Sequence, residues 1–484
     1  ETLPIPPRGI GTERGGTLKS GDPSQWPLRD GAAIHVVGAG GAGMNAIGAV
    51  LISMGYSVSG SDLRDSAGVH RLRSLGARIE IGHNSANLGD CEAICRSTAV
   101  PDDNVEVVAA LESGRPVFTR AQILAKICAR KRTIAVAGTH GKTTTASMLA
   151  LALMGSGLHP SFIVGGDLNE IGSGAVWDQD GDLFVVEADE SDGTFLEIGA
   201  ESAVITNVEA DHLDYFGSFE ALVAAFESFI SSTPGLRMVC VDDEYAANIA
   251  QRIGGCLTYG TSDDADYQIV NVESYRYASK FNLQRKGTDL GECLLPVPGI
   301  HNVRNASAAL SVAIELGAKP NDALAALGKF AGVARRFEFR GEQGGVVYVD
   351  DYAHLPSEVS SALGAAKAGE WGRIVAIFQP HRYSRTAELW RDFEHSFIDA
   401  DHLVLTGIYP AGESARPGIT GELLLRAVLD AHPYASVTYL PGREQVPDYL
   451  CSILRPGDLC LTMGAGDLTS VADEVQQRRP PSPT

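Results

Sequence analysis

The chain has 484 residues, 44% of them hydrophobic, and a formal net charge of −21. That length suits about three domains of roughly 150 residues, each able to bury its own core. The acidic balance argues against a nucleic-acid surface, and no stretch approaches the roughly 18 uninterrupted apolar residues of a membrane span.

Strand-like and helical runs alternate along the chain, the pattern of α/β domains with parallel sheets and helices on both faces. Residues 1–30, with five prolines among many glycines, read as a flexible tail without the layout of a targeting peptide. The first block, 31–120, opens with the strand Ala33–Val37, the loop Gly38-Ala-Gly40-Gly41-Ala-Gly43 and a helix reaching about Met54. A second strand starts at Ser57 and ends near Asp62. Glycines between strand and helix let backbone N–H groups face a pyrophosphate, and an acid about twenty residues on is the usual ribose partner. This fingerprint suits NAD, but also any nucleoside diphosphate, because the group recognised is the pyrophosphate.

The second block, 121–332, carries Thr133-Ile-Ala-Val-Ala137 followed by Gly138-Thr139-His140-Gly141-Lys142-Thr143-Thr144 and a helical pattern from Ala146 to Met154. This is the order of a phosphate cradle, with Lys142 expected on an exposed loop reaching terminal phosphates and the Thr143 hydroxyl able to hold Mg²⁺. The position five before Gly141 is Val136 rather than the standard glycine. ATP is the expected ligand. Glu187-Ala-Asp-Glu-Ser-Asp192 follows the apolar strand Leu183–Val186, where four carboxylates form either a solvated loop or a Mg²⁺ site. Asp211-His212-Leu-Asp214 follows the strand Ala203–Thr206 and offers a second metal position. Residues 265–298 read as a small antiparallel insert. Asn302 and Asn305 open an alanine-rich helix, as caps or as adenine readers.

In the third block, 333–475, strands are expected at Val346–Val349, Ile374–Phe378, His402–Leu405, Val437–Leu440 and Leu459–Thr462. Asp350-Asp351-Tyr352-Ala-His354 ends the first of these. Arg382 and Arg385 follow the second, spaced for a two-point grip on a carboxylate or phosphate, or forming a basic surface turn. Residues 476–484 read as a second flexible tail. The eight cysteines form no CxxC pair, so neither a metal cage nor a redox pair is expected, and reduced thiols in a cytoplasm are.

The ordered set GAGGAGM, GTHGKTTT, EADESD, NVEADHLDYFG, HNVRNA, RRFE, DDYAH and FQPHRYSRT resembles the Mur ligases of cell-wall precursor synthesis, and within them the alanine-adding branch. The resemblance runs from about Ile34 to Val471. It implies a Rossmann-like first domain for a UDP-sugar, a central P-loop ATPase-type domain and a Rossmann-like third domain for the amino acid. The implied substrates are UDP-N-acetylmuramate, ATP and L-alanine, joined through an acyl phosphate by a cytoplasmic monomer or homodimer. Lys142 would meet the phosphates, and Thr143, Glu187 and His212 would hold Mg²⁺. Asn302 and Asn305 would lie near ATP, with Arg336 and Asp351 serving the closed site. Tyr352, His354, Arg382 and Arg385 would face alanine, while Gly38, Gly40, Gly41, Gly43, Asp62 and Ser97 would address UDP. No lysine lies between Leu213 and Leu236, where sister ligases carry a carbamylated one, and FQPHRYSRT sets the chain apart from the murein-tripeptide recycling ligase. A nicotinamide-dependent oxidoreductase would explain the first fingerprint but leave Lys142, Glu187 and His212 without work, and a non-catalytic nucleotide-binding protein is a further alternative whose support is Leu355. Leu355 stands where the family's DDYAHHP has its second histidine.

Overall fold

The computed structural model describes residues 29–169 and 171–478. The tail expectation at 1–28 and 479–484 falls outside them, whereas 476–478 continue a final helix, Val471–Arg478, whose Val475 is buried. The chain divides into two compact units, one ending at Ile127 and one beginning at Cys128.

The first unit is a five-stranded parallel sheet ordered Arg78–Ile81, Ser57–Asp62, Ala33–Val37, Ala93–Arg96, Val117–Thr119. The strand order reverses beside Ala33–Val37, which places the glycine loop at the switch point where parallel sheets receive ligands. Of these strands, Ala33–Val37 and Ser57–Asp62 were legible from pattern. The others are four- or three-residue pieces too short to show a period.

The second unit holds a ten-stranded and a six-stranded sheet. In the larger one, Arg132–Ala137 lies between Leu183–Glu187 and Ser202–Ile205, all parallel. Their side chains are buried on both faces, which is why they read as continuous apolar runs. The helix Lys142–Gly155 covers them and is buried almost all round, from Thr143 to Leu153. It packs against Ile300–Glu315 and Pro320–Leu327, and a Cβ on Gly155 would lie 2.4 Å from that of Ala326. The antiparallel segment is Tyr267–Ser274, Ser279–Arg285 and Thr288–Leu295, and it is continuous with the large sheet, since Tyr267 and Gln268 pair in parallel with Tyr259 and Gly260. Arg276, between the first two of these strands, donates to the carbonyls of Gly369 and Glu370 and lies 4.2 Å over the Trp371 ring. That clasp ties the large sheet to the smaller one. There, Val346–Asp351, Asp458–Met463, Arg373–Phe378, His402–Thr406 and Val437–Leu440 run parallel, and Glu338–Gln343 adds an antiparallel edge.

The phosphate loop depends on one glycine more than on any other. Gly138 has φ +133°, and a Cβ there would lie 2.0 Å from Thr206 Oγ1, which itself donates to the His140 carbonyl at 2.6 Å. Gly138→Ala is therefore expected to cost about 1–3 kcal/mol through overpacking and backbone strain. A urea unfolding midpoint indistinguishable from the parent's would contradict this account.

Candidate active site

The helix Lys142–Gly155 starts from Gly141 in the left-handed conformation, φ +79°, where a Cβ would lie 2.4 Å from Asn305 Oδ1. Its first residue differs from expectation. Lys142 is not exposed: its side chain is 13% accessible and Nζ donates to Glu190 Oε1 at 2.8 Å, to the Gly138 carbonyl at 2.6 Å and to that of Thr139 at 3.2 Å. A buried ammonium requires an acid beside it, and burial pushes the Glu190 carboxyl up to about 7 even with Lys142 adjacent. The remaining acids of the cluster have separate work. Asp189 and Asp192 accept the backbone N–H groups of Ser191 and Thr194. Glu187 accepts the Thr143 hydroxyl at 2.9 and 3.0 Å and the Gly165 N–H at 2.7 Å.

Thr143 and Glu187 thus form a pair of hard oxygen donors at the helix N-terminus, which fits Mg²⁺, an ion usually held by one or two carboxylates plus phosphates and water. His212 has φ +54°, and its Nε2 lies 3.1 Å from Asp211. Burial pulls its pKa down against Asp211, helped by the charges of Arg385 and Lys142, so the ring is neutral and able to ligate. Among the described residues no group of three or more His, Cys, Asp and Glu is spaced to cage a metal.

Beyond the loop lies a cavity of about 240 Å³ lined by His140, Gly141, Thr144, Asn302, Asn305 and Arg336, with Asp351 among its walls. Thr139 is fastened below it by reciprocal hydrogen bonds with the backbone of Glu209. Neither asparagine caps its helix: Asn302 Nδ2 donates to the Pro298 carbonyl at 2.7 Å, and Asn305 Oδ1 accepts the Thr145 hydroxyl at 3.2 Å. Asp351 accepts the N–H groups of Phe337 and Ala353, each at 2.7 Å, and burial pushes it up to about 6 although Arg336 opposes this. Arg336 lies 5.2 Å over the Tyr352 ring and 3.7 Å from Glu358.

His354 Nδ1 is 3.0 Å from the Tyr352 carbonyl, and burial pulls this histidine down to about 4 despite Glu358. Its ring is 6.0 Å from that of His381. Arg385 donates through Nη1 to His381 Nδ1 at 3.0 Å and through Nη2 to Asp211 at 3.2 and 3.3 Å. Arg382, Arg385, Asp211 and His212 line one smaller cleft. Arg385 is therefore not part of a surface turn: it reaches across to the loop that carries His212. Leu355 is 3% exposed, and its N–H donates to Glu358.

The glycine loop of the first unit is also assembled. Gly38, φ +80°, would place a Cβ 3.1 Å from Ser97 Cβ, and a Cβ on Gly43 would lie 3.0 Å from Arg120 Nη1. Gly41 precedes the helix Ala42–Ser53. Asp62 accepts the Gly40 and Arg64 N–H groups, so its carboxylate shapes the loop. Sequence reasoning gave no individual role to Glu190, Glu358, Asp211 or the Asp242–Arg304 pair that also lines the cavity. Glu358 carried one signal, its place three residues after the N-cap Leu355 of the helix Pro356–Lys367, where an acid reaches back to free N–H groups.

Comparison with known proteins agrees along the chain. The models described as the Mur ligase family catalytic domain, the Mur ligase middle domain and the Mur ligase glutamate ligase domain match residues 33–132, 136–313 and 335–466. The UDP-N-acetylmuramate–L-alanine ligase of Geotalea daltonii is 44% identical over 448 residues, 92% of this chain and 97% of the relative. That of Solidesulfovibrio magneticus is 47% identical over 442 residues, 90% and 96% respectively. The solved UDP-N-acetylmuramate–alanine ligase from Thermotoga maritima superposes with a TM-score of 0.78 at 30% identity, covering 92% of this chain and 98% of that one. A murein peptide ligase from Psychrobacter arcticus shares the fold, with a TM-score of 0.65 at 23% identity over 92% and 98%. With motifs, sheet topology and three consecutive models in agreement, the chain belongs to the Mur ligase family.

Proposed function

We infer that this enzyme joins L-alanine to the lactoyl carboxylate of UDP-N-acetylmuramate, driven by ATP, in the synthesis of peptidoglycan precursors. The observation that carries the reading is the Arg385–Asp211 contact, which brings an amino-acid anchor to the loop beside the phosphate cradle. The carboxylate oxygen takes the γ-phosphoryl group and ADP departs. The alanine nitrogen then attacks the acyl carbon, the bond to phosphate breaks, and an amide and inorganic phosphate remain.

In this reading Lys142 and the helix N-terminus offset the negative charge that gathers when two anions react. Mg²⁺ held by Thr143, Glu187 and His212 would add further charge stabilisation on the transferred phosphoryl oxygens. The cavity beside Asn302, Asn305 and Arg336 takes the nucleotide, and Asp351 holds Phe337 and Ala353 around it. Arg382 and Arg385 grip the alanine carboxylate in two points. With Nδ1–H donated to the Tyr352 carbonyl, a tautomer assigned from that contact, His354 keeps a free Nε2 lone pair able to take the proton that the alanine nitrogen sheds once it has attacked as the free amine. Gly38, Gly40, Gly41, Gly43 and Ser97 form the UDP loop, with Asp62 holding its shape. Among the described residues no helix is long and apolar enough to cross a membrane. We read the enzyme as cytoplasmic because that is where its nucleotide substrates are available.

ADP release on mixing ATP, UDP-N-acetylmuramate and L-alanine tests this function, and release only with a murein tripeptide would replace it. In that assay Lys142→Ala is expected to lose about 10²–10³ in rate. Because Glu190 would then be buried without its cation, the variant should also lose about 3–5 kcal/mol of stability. A fully active or equally stable variant would refute the pairing of Lys142 with phosphate and Glu190.

Chelation of divalent cations should stop ADP release, and Glu187→Gln or His212→Ala should each raise the Mg²⁺ concentration for half-maximal rate, since each removes one ligand. Unchanged Mg²⁺ curves in both would exclude them as ligands.

Lysine cannot reproduce the planar two-point grip of a guanidinium. Arg385→Lys should raise the KM for L-alanine much more than that for ATP, with some fall in kcat from misorientation. Equal effects on both substrates would remove Arg385 from the amino-acid site.

A further inference from the structure

Glu358 sits on the first turn of the helix Pro356–Lys367, and its two carboxylate oxygens serve two different sites. Oε1 lies 3.1 Å from Nδ1 of His140, inside the phosphate loop between Thr139 and Gly141. Oε2 accepts the backbone N–H of His354 at 2.9 Å and of Leu355 at 3.2 Å, and lies 3.2 Å from His354 Nδ1. The other side of His140 is held as well, with Nε2 3.3 Å from Glu209 and 3.2 Å from the Ser357 hydroxyl, which donates to Glu209 at 2.6 Å. The imidazole is thus pinned between a carboxylate of the large sheet's unit face and one from the helix behind His354. Burial opposes charge on this ring, but Glu358 and Glu209 outweigh it.

We propose that Glu358 is a positioning residue that couples the nucleotide loop to the amino-acid site, so that occupation of the phosphate loop sets the position of His354 and raises the affinity for alanine. The inference rests on the reading that the first site takes ATP and the second takes alanine. Its physical basis is stiffness: a carboxylate with both oxygens engaged cannot follow His140 without moving the His354–Leu355 backbone. No flexible link intervenes, since Glu358 lies on the same helical turn whose N–H groups it caps. The coupling is reciprocal, so alanine tightens ATP by the same factor.

The test titrates L-alanine at an ATP concentration well below and one well above the KM for ATP, following ADP release at saturating UDP-N-acetylmuramate. In the parent the KM for alanine is expected to fall about tenfold between the two, within the usual range of allosteric coupling. In Glu358→Gln the difference should shrink to about twofold or less, with KM for alanine rising more than kcat falls. His140→Gln cuts the same link from the other side and leaves the hydrogen bonds from Glu358 to the His354 and Leu355 N–H groups in place, so it should reproduce the loss. The double variant should lose no more than either single one, because both remove one interaction. Persistence of the tenfold difference in either variant, additive losses in the double variant, or no ATP dependence in the parent would each overturn the coupling. A parent that releases no ADP with alanine would overturn the functional reading itself, which the other outcomes leave standing.

Discussion

Buried charge has to be matched, and the catalytic face is arranged around that requirement. Lys142 meets Glu190, Arg385 meets Asp211, His140 stands between Glu209 and Glu358, and Arg304 meets Asp242. An isolated ion in such surroundings costs several kcal/mol, so these buried cations each carry a protein acid as partner. A phosphate or carboxylate arriving there exchanges one anion for another and does not create a new bare charge. This explains why a chain with 21 excess negative charges can still recognise nucleotides: the relevant field is local.

Topology supplies the geometry. Ala137, Glu187, Ile205, Asp351 and Phe378 end parallel strands, and the proposed site residues lie at or just after these ends. Residues as distant as His140 and Glu358 become neighbours because both sheets present their carboxyl ends to one cavity. The Arg276 clasp on Trp371 holds the same two sheets together away from the chemistry. Long-range order of this kind costs loop entropy but positions groups that a local motif could not.

Leu355 has a physical account at its own position. It is buried, the site uses its backbone N–H, and a side chain there meets no requirement for hydrogen bonding in the contacts that Glu358 makes. An apolar residue suits such surroundings, whereas a buried imidazole would need partners of its own.

The order of strand, glycine loop and helix, the acids after Val186, and the residues at the ends of the third sheet's strands were all legible in the sequence, because backbone sterics and period impose them locally. The short strands of the first unit were not, nor the edge strand Glu338–Gln343, whose side chains are mostly half-exposed and carry no apolar run. Pattern placed Lys142 on a loop facing phosphate but not in a buried pair, and it named Asn302 and Asn305 without deciding between cap and cavity wall. Glu190, Glu358 and Asp211 were visible as letters only. Their roles depend on which cation lies opposite, across 48 residues for Lys142–Glu190, 174 for Asp211–Arg385 and 218 for His140–Glu358. Such pairings exist only once the sheets have stacked and water has been excluded, since it is the low dielectric of the packed interior that makes one carboxylate's partner matter.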